Sequence, residues 1–362
     1  MTKTYRDVGP EDFPQIWQRP SFEDLLVCLT ELHADAEPPI WDPAASKKAP
    51  REGRSRGENT ARSRRDVMSY LGSIVSSALQ WLADDEQREV IWEAASRCLS
   101  QRCGRAGMGE ITRAWPFRDR PAPFELSVRE PPITGDSLGH KTWGSSFLMA
   151  QLLDGLRSGP LAHLLLAASA SRSRSREPPP SAVVLELGSG TGLLGIAAAA
   201  MWQAEVVLSD LPDIMPNLDY NIERNRATVE RLGGKVDSGA LTWGCEVGND
   251  ARFSRGHQFS IILAADGIYD DDHPALLSSA IHEQLHEGPD ARAVVMVPIR
   301  DQITRRLITQ FQLHMNKGSS ASASPLVVLE EHVLAGQDDW GDDDDQPQAV
   351  ECWWAIFGRQ LT

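Results

Sequence analysis

Cations are scarce in this sequence, cysteines are few and scattered, and long apolar runs are missing. Lys and Arg number 36 against 51 Asp and Glu, a formal charge of −15 over 362 residues. Affinity for phosphate backbones comes mainly from clustered cations, so DNA or RNA binding is not expected; a partner with a basic surface suits the charge better. No apolar stretch reaches the ~20 residues that a membrane span needs, so no membrane partner is expected. The opening segment, MTKTYRDVGPEDF, has no apolar run, which argues against a secretory signal and for a cytoplasmic protein. The five cysteines (Cys28, Cys98, Cys103, Cys245, Cys352) include no C-x-x-C pair. That argues against a disulfide framework or structural zinc, and for a reducing compartment.

What is present fits a soluble globular protein: 41% of residues are hydrophobic and 24% charged. The length predicts one large domain with an extension, or two domains. Residues 1–112 read as a helical region. SFEDLLVCLTEL places Leu25, Leu26, Leu29 and Leu32 at helical spacing, and the stretch from about 64 to 104 repeats Leu71, Ile74, Val75, Leu79 and Leu82 in the same way. Between them, KKAPREGRSRGENTARSRR carries eight cations and almost no large apolar residue, so a disordered basic loop is expected near 44–65.

Residues 113–362 have another texture. After one or two short strands (WPFRDRPAPFELSVREPPI) and a helix (TWGSSFLMAQLLDGL), strands and helices alternate from 183 to 315. Two strands, LVVLEEHVL and VECWWAIFGR, then follow with no helix between them. This pattern predicts an α/β fold: a doubly wound, seven-stranded, mostly parallel sheet with an antiparallel C-terminal hairpin.

The strongest motif is VVLELGSGTGLLG at 183–195: a buried strand, a glycine turn, then a helix. Glycines reach positive φ and lack a Cβ, so a ligand can lie against the backbone, at the sheet edge where open α/β sheets bind ligands. Gly190, Gly192 and Gly195 also satisfy the dinucleotide spacing. Asp210, twenty residues past Gly190, can accept bonds from both ribose hydroxyls of NAD or of S-adenosylmethionine. Two features favour S-adenosylmethionine. Glu186 stands in the strand just before the glycines, and the final 60 or so residues are too few for a dehydrogenase's second domain.

The turn ELGSGTGLLGI, KTWGSS before it, SDLPDIMPNLDYNI and LTWG after it, and the later AADGIYDDD resemble the eukaryotic seven-strand lysine methyltransferases of methyltransferase family 16. Within it, the LGHKTWGSS block and the helical N-terminal region look most like the fungal enzymes that methylate translation elongation factor 2. The resemblance implies S-adenosyl-L-methionine as cofactor and a protein lysine as acceptor; a monomer is expected. It implies that Trp143 closes over the cofactor and that Gly188, Ser189 and Gly190 cradle its methionine portion. Asp210 then holds the ribose and Trp243 lies beside the adenine. Ala265 precedes the D-x-x-Y motif formed by Asp266 and Tyr269. From the residues themselves, Asp266 is expected to accept a hydrogen bond from the incoming ammonium while Tyr269 lines the channel. A small-molecule N-methyltransferase and a non-catalytic cofactor-binding scaffold are the alternatives.

A second motif points elsewhere. His282-Glu283-Gln284-Leu285-His286 has the H-E-x-x-H spacing of a zinc-binding helix. Its helix should pack an apolar face (Leu277, Ala280, Ile281) on the sheet, leaving both histidines beside that face near solvent, and no third ligand is evident, so no metal is expected.

Overall fold

The computed structural model describes residues 12–35, 56–102, 109–118, 120–132, 138–165, 184–245, 249–317, 324–338 and 348–359. The chain divides into two compact units, the first drawn mainly from Met1–Arg113 and the second from Ala114–Pro131, Asp136–Asp339 and Gln348–Thr362.

The first unit is built on helices α1 (Phe22–Asp35), α2 (Arg56–Ser76) and α3 (Asp85–Arg102). Ser21 starts α1 by accepting the Asp24 N–H at 3.1 Å, an N-terminal cap. Leu25, Leu29, Leu71 and Ile74 are buried as their helical spacing predicts, together with Ile91 from α3, whereas the repeat does not continue as one helix: Val75 is exposed, and Leu79, buried at φ 45°, lies between α2 and α3. Two indoles of this unit end on carbonyls, Trp81 Nε1 on Pro20 at 2.8 Å and Trp92 Nε1 on Ser77 at 2.9 Å. The expected disordered loop near 44–65 is corrected here, because α2 already begins at Arg56. Arg and Ala are good helix formers, and the segment runs directly into the stripe of Val67, Tyr70, Leu71 and Ile74 that docks the helix. Residues 44–55 lie outside the described ones.

β1 (Ile111–Phe117), most of which lies in the second unit, and β2 (Phe124–Glu130) form a two-stranded sheet. The seven-stranded sheet comprises β3 (Val184–Leu187), β4 (Glu205–Asp210), β5 (Lys235–Ala240), β6 (Ile261–Ala265), β7 (Arg292–Ile299), β8 (Leu326–Asp338) and β9 (Gln348–Arg359), in the order β5-β4-β3-β6-β7-β9-β8. The first five are parallel. Val184 is in register with Val206 on one side and with Ile261 on the other. β9 runs antiparallel between β7 and β8, so the closing hairpin is inserted with its second strand inward. All residues of β6 are buried, as expected for a strand covered on both faces.

The helices of this unit are α4 (Gly144–Ser158), α5 (Leu193–Trp202), α6 (Met215–Arg231), α7 (His273–Gln284) and α8 (Gln302–Lys317). α5 is buried on every side, which its composition of Ala, Leu, Ile and Gly permits. Because β4 lies to one side of β3 and β6 to the other, chain direction diverges at the carboxyl end of β3. That divergence opens the crevice in which such sheets hold ligands.

Candidate functional site

Gly188, Gly190 and Gly192 all adopt positive φ (67°, 55° and 88°), a region that side chains rarely enter. A Cβ would be crowded at each and would clash outright at Gly192. At Gly188 it would meet Trp243 Cζ2 at 3.3 Å, at Gly190 the Gly139 carbonyl oxygen at 3.1 Å, and at Gly192 Leu218 Cδ1 at 2.7 Å. The turn is closed by the Gly192 N–H on Ser189 O (2.8 Å) and tied to β4 by the Ser189 N–H on Ser209 O (3.0 Å).

Two carboxyl groups fix the turn from below. Glu186 is 2% exposed and accepts the Gly195 N–H at 3.0 Å, anchoring the first turn of α5. A Cβ on Gly195 would fall 2.5 Å from that carboxylate oxygen, so the glycine is required by this contact. Burial pushes the Glu186 carboxyl up to about 8 against bonds from Ser189 and Gly195. Its acid is therefore turned into the turn's scaffold. Asp210, at the end of β4, accepts the Gly190 N–H on Oδ2 and the Leu211 N–H on Oδ1, both at 2.7 Å. Burial raises its carboxyl and these two bonds oppose the rise. Each oxygen has two acceptor positions, so Asp210 can hold the turn and still receive two hydroxyl groups.

Trp243, in the loop after β5, spans the crevice mouth. Its ring edge lies near Gly188 on one side and, with Cη2 3.2 Å from where a Gly267 Cβ would stand, near the residue after Asp266 on the other. Trp143 stands just before α4 and donates Nε1 to Leu138 O at 3.2 Å. The segment leading to it passes over the glycine turn at Gly139, and Thr142 and Thr191 share a hydroxyl hydrogen bond at 2.7 Å.

Ala265 ends β6, and Asp266 follows in the left-handed region at φ 60°. Asp266 is 7% exposed. Its carboxylate is already bound, by Arg300 Nη1 and Nη2 at 2.9 and 2.8 Å and by the Ser145 hydroxyl at 3.2 Å. Tyr269 is 56% exposed, with its ring edge-on to His273 at 4.2 Å between centroids. Burial and the charges of Asp210, Asp266 and Asp270 raise its hydroxyl. Burial lowers His273, against Asp270 and Asp272.

The structure thus gathers Gly188, Ser189, Gly190, Asp210, Trp243, Ala265 and Asp266 at one sheet edge. Glu186 sits beneath them and Trp143 is linked through Arg300, whose Cζ is 4.9 Å from the Trp143 ring centroid. Arg300 and Ser145 were missed by sequence reasoning. Arg300 had one legible signal: it is the first residue beyond the carboxyl end of β7, the edge where ligands bind.

The H-E-x-x-H motif is not a zinc-binding face. α7 stops at Gln284, and Leu285 turns extended to pair with Phe259, so the two histidines are not on one helix. Contrary to the expectation of a place near solvent, His282 is buried, with Nε2 3.0 Å from Met315 O. Among the described residues, no three His, Cys, Asp or Glu are grouped to hold a metal ion.

These residues fit a methyl-donor nucleoside. The bare backbone at Gly188 and Gly190 can be approached closely, Asp210 keeps acceptor positions for a sugar, and Trp243 offers an aromatic edge. The lysine methyltransferase family model matches residues 124–313, more than half of the chain. The chain is 31% identical over 263 residues to the protein-lysine N-methyltransferase EFM2 of Saccharomyces cerevisiae, covering 70% of this chain and 57% of that protein. It is 28% identical over 298 residues to the protein-lysine N-methyltransferase rrg1 of Schizosaccharomyces pombe, covering 80% and 82%. A shorter match, 43% over 94 residues, joins 26% of this chain to 30% of the protein-lysine methyltransferase METTL21E of Bos taurus. The sheet order, the glycine turn and the sequence match agree: the chain belongs to the lysine methyltransferase family.

Proposed function

We propose that this protein is a cytoplasmic, monomeric S-adenosylmethionine-dependent protein-lysine N-methyltransferase acting on translation elongation factor 2. The observation that carries the reading is the convergence of the glycine turn, Asp210 and Trp243 on one side of the crevice with the Asp266–Tyr269 segment on the other. The Gly188–Gly190 backbone and Asp210 hold the donor, Trp243 flanks its adenine and Trp143 closes over it. When bound, S-adenosylmethionine supplies a methyl group on a sulfonium, ready for in-line displacement by an amine. The chain must align that amine and receive it neutral. Only about 0.1% of free lysine, with a pKa of ~10.4, is neutral near pH 7.4, and desolvation lowers that pKa. Alignment alone contributes roughly 7–11 kcal/mol at best. Asp266 orients the amine and the Tyr269 ring lines its path.

The choice of acceptor rests on the LGHKTWGSS block and on the protein-lysine methyltransferase names of the two fungal relatives. It is tested by incubating a lysate lacking this enzyme with the purified full chain and a labelled methyl donor. A labelled band at elongation factor 2 is expected. A single different protein band would replace the acceptor, and label confined to the small-molecule fraction would instead support a small-molecule N-methyltransferase.

A further inference from the structure

Three elements deliver groups to one point beyond β6. Asp266 is pinned by its own N–H, which donates to Met296 O at 2.9 Å. Its carboxylate receives the two-toothed Arg300 guanidinium from the end of β7 and the Ser145 hydroxyl from the first turn of α4. The same guanidinium lies over the Trp143 ring, with Lys141 Nζ 4.6 Å from that ring's centroid.

Resting on the function proposed above, we infer that Arg300 is a positioning residue that cancels the charge of Asp266, so that Asp266 orients the acceptor lysine as a neutral amine. A carboxylate offers about four acceptor positions. Arg300 fills one on Oδ1 and one on Oδ2, and Ser145 fills the other on Oδ2. One position on Oδ1 remains, enough for a single N–H of an amine whose lone pair faces the methyl group. An uncompensated carboxylate within about 4–6 Å would favour ammonium and raise the amine's pKa by roughly one to three units, cutting the reactive fraction at least tenfold. The guanidinium fork supplies the opposing charge and fixes the carboxylate's orientation at once, which a lysine cannot do. Among the described residues, the charged or titratable groups near this point include Asp210 from β4, Tyr269 and Asp270 after β6, His273 from α7 and Lys141 before α4. They are the same in every variant below.

The test is the pH dependence of kcat for methylation of elongation factor 2 by the full chain, from about pH 6.5 to 9.5, where the amine's acid limb falls. R300Q is expected to move that limb upward by roughly one unit or more, because Asp266 then stands alone. D266N is expected to move it downward, because the negative charge beside the amine is then removed while the guanidinium stays. R300K restores the charge without the fork, so its limb stays in place while kcat falls. A readout independent of turnover is proton release on binding elongation factor 2 with S-adenosylhomocysteine present, from calorimetry in two buffers of different ionisation enthalpy. Wild type is expected to release more protons than R300Q. Unmoved limbs and equal proton counts would overturn the inference. If R300Q does not fold, D266N and R300K decide it alone. An active wild type with unmoved variants sinks the inference only, whereas a wild type that methylates no protein sinks the functional reading with it.

Discussion

Glu186 keeps its carboxyl group where water does not reach, and its proton is therefore linked to folding. In the unfolded chain the group titrates in the ordinary carboxyl range; in the folded chain it does so at about 8. Below the ordinary range both states are protonated and the contribution is full. As pH rises toward about 8 the unfolded chain releases a proton that the folded one retains, so stability falls. E186Q keeps an acceptor for the Gly195 N–H and cannot titrate. Relative to wild type, its melting temperature is expected to gain several degrees, roughly, between pH 5 and 8. Parallel melting curves over that range would contradict the assignment. Gly190 is constrained differently. Ala there must hold φ near 55° with its Cβ 3.1 Å from the Gly139 carbonyl oxygen. Left-handed strain of about 1–2 kcal/mol should lower the unfolding free energy of G190A by that amount, as read by urea unfolding. An unchanged stability would show that the turn relaxes away from this geometry. Both residues were legible in the sequence because their constraint is local: an acid and a glycine within one strand-turn-helix unit. The pairing of Arg300 was not, because its partner Asp266 is 34 positions away and nothing local to either implies the other.

α6 shows what a helix can do that its pattern conceals. Asn217, Asn221 and Asn225 fall on one buried stripe of it, where an apolar face would be expected. They bind β2 as a neighbouring strand would. Asn225 accepts the Ser127 N–H and donates to Ser127 O, both at 2.9 Å. Asn221 accepts the Arg129 N–H at 2.8 Å and donates to Arg129 O and to Thr191 O, both at 3.0 Å. Asn221 therefore ties β2 to the glycine turn. N221L should leave three backbone groups without these partners and cost about 2–4 kcal/mol, measured by urea unfolding. A loss below about half a kcal/mol would mean that water or a shifted strand replaces the bonds. The early end of α7 is the same lesson: helical periodicity continues through His286, yet pairing of Leu285 with Phe259 stops the helix.

For the molecule as a whole, the charge of −15 favours a basic acceptor. Asp270, Asp271 and Asp272 lie immediately after Tyr269, with Asp271 paired to Arg306; the run Asp342–Asp345 falls outside the described residues. If these charges steer the acceptor, KM for the proposed acceptor, elongation factor 2, should rise severalfold as salt increases from about 50 to 300 mM, a range over which the Debye length shortens markedly. A KM indifferent to salt would leave the acidic run as a solvated surface. The sequence by itself determined the alternation of strands and helices, the antiparallel closing pair and the glycine turn. Each follows from side-chain periodicity or backbone sterics within a few neighbouring residues. Only the tertiary structure decided that β9 lies inside β8, that three asparagines replace a strand partner, that His282 is buried away from His286, and that Arg300 closes on Asp266 and Trp143. Those outcomes depend on which distant segments come into contact when the apolar surface is buried, and no local pattern encodes such a pairing.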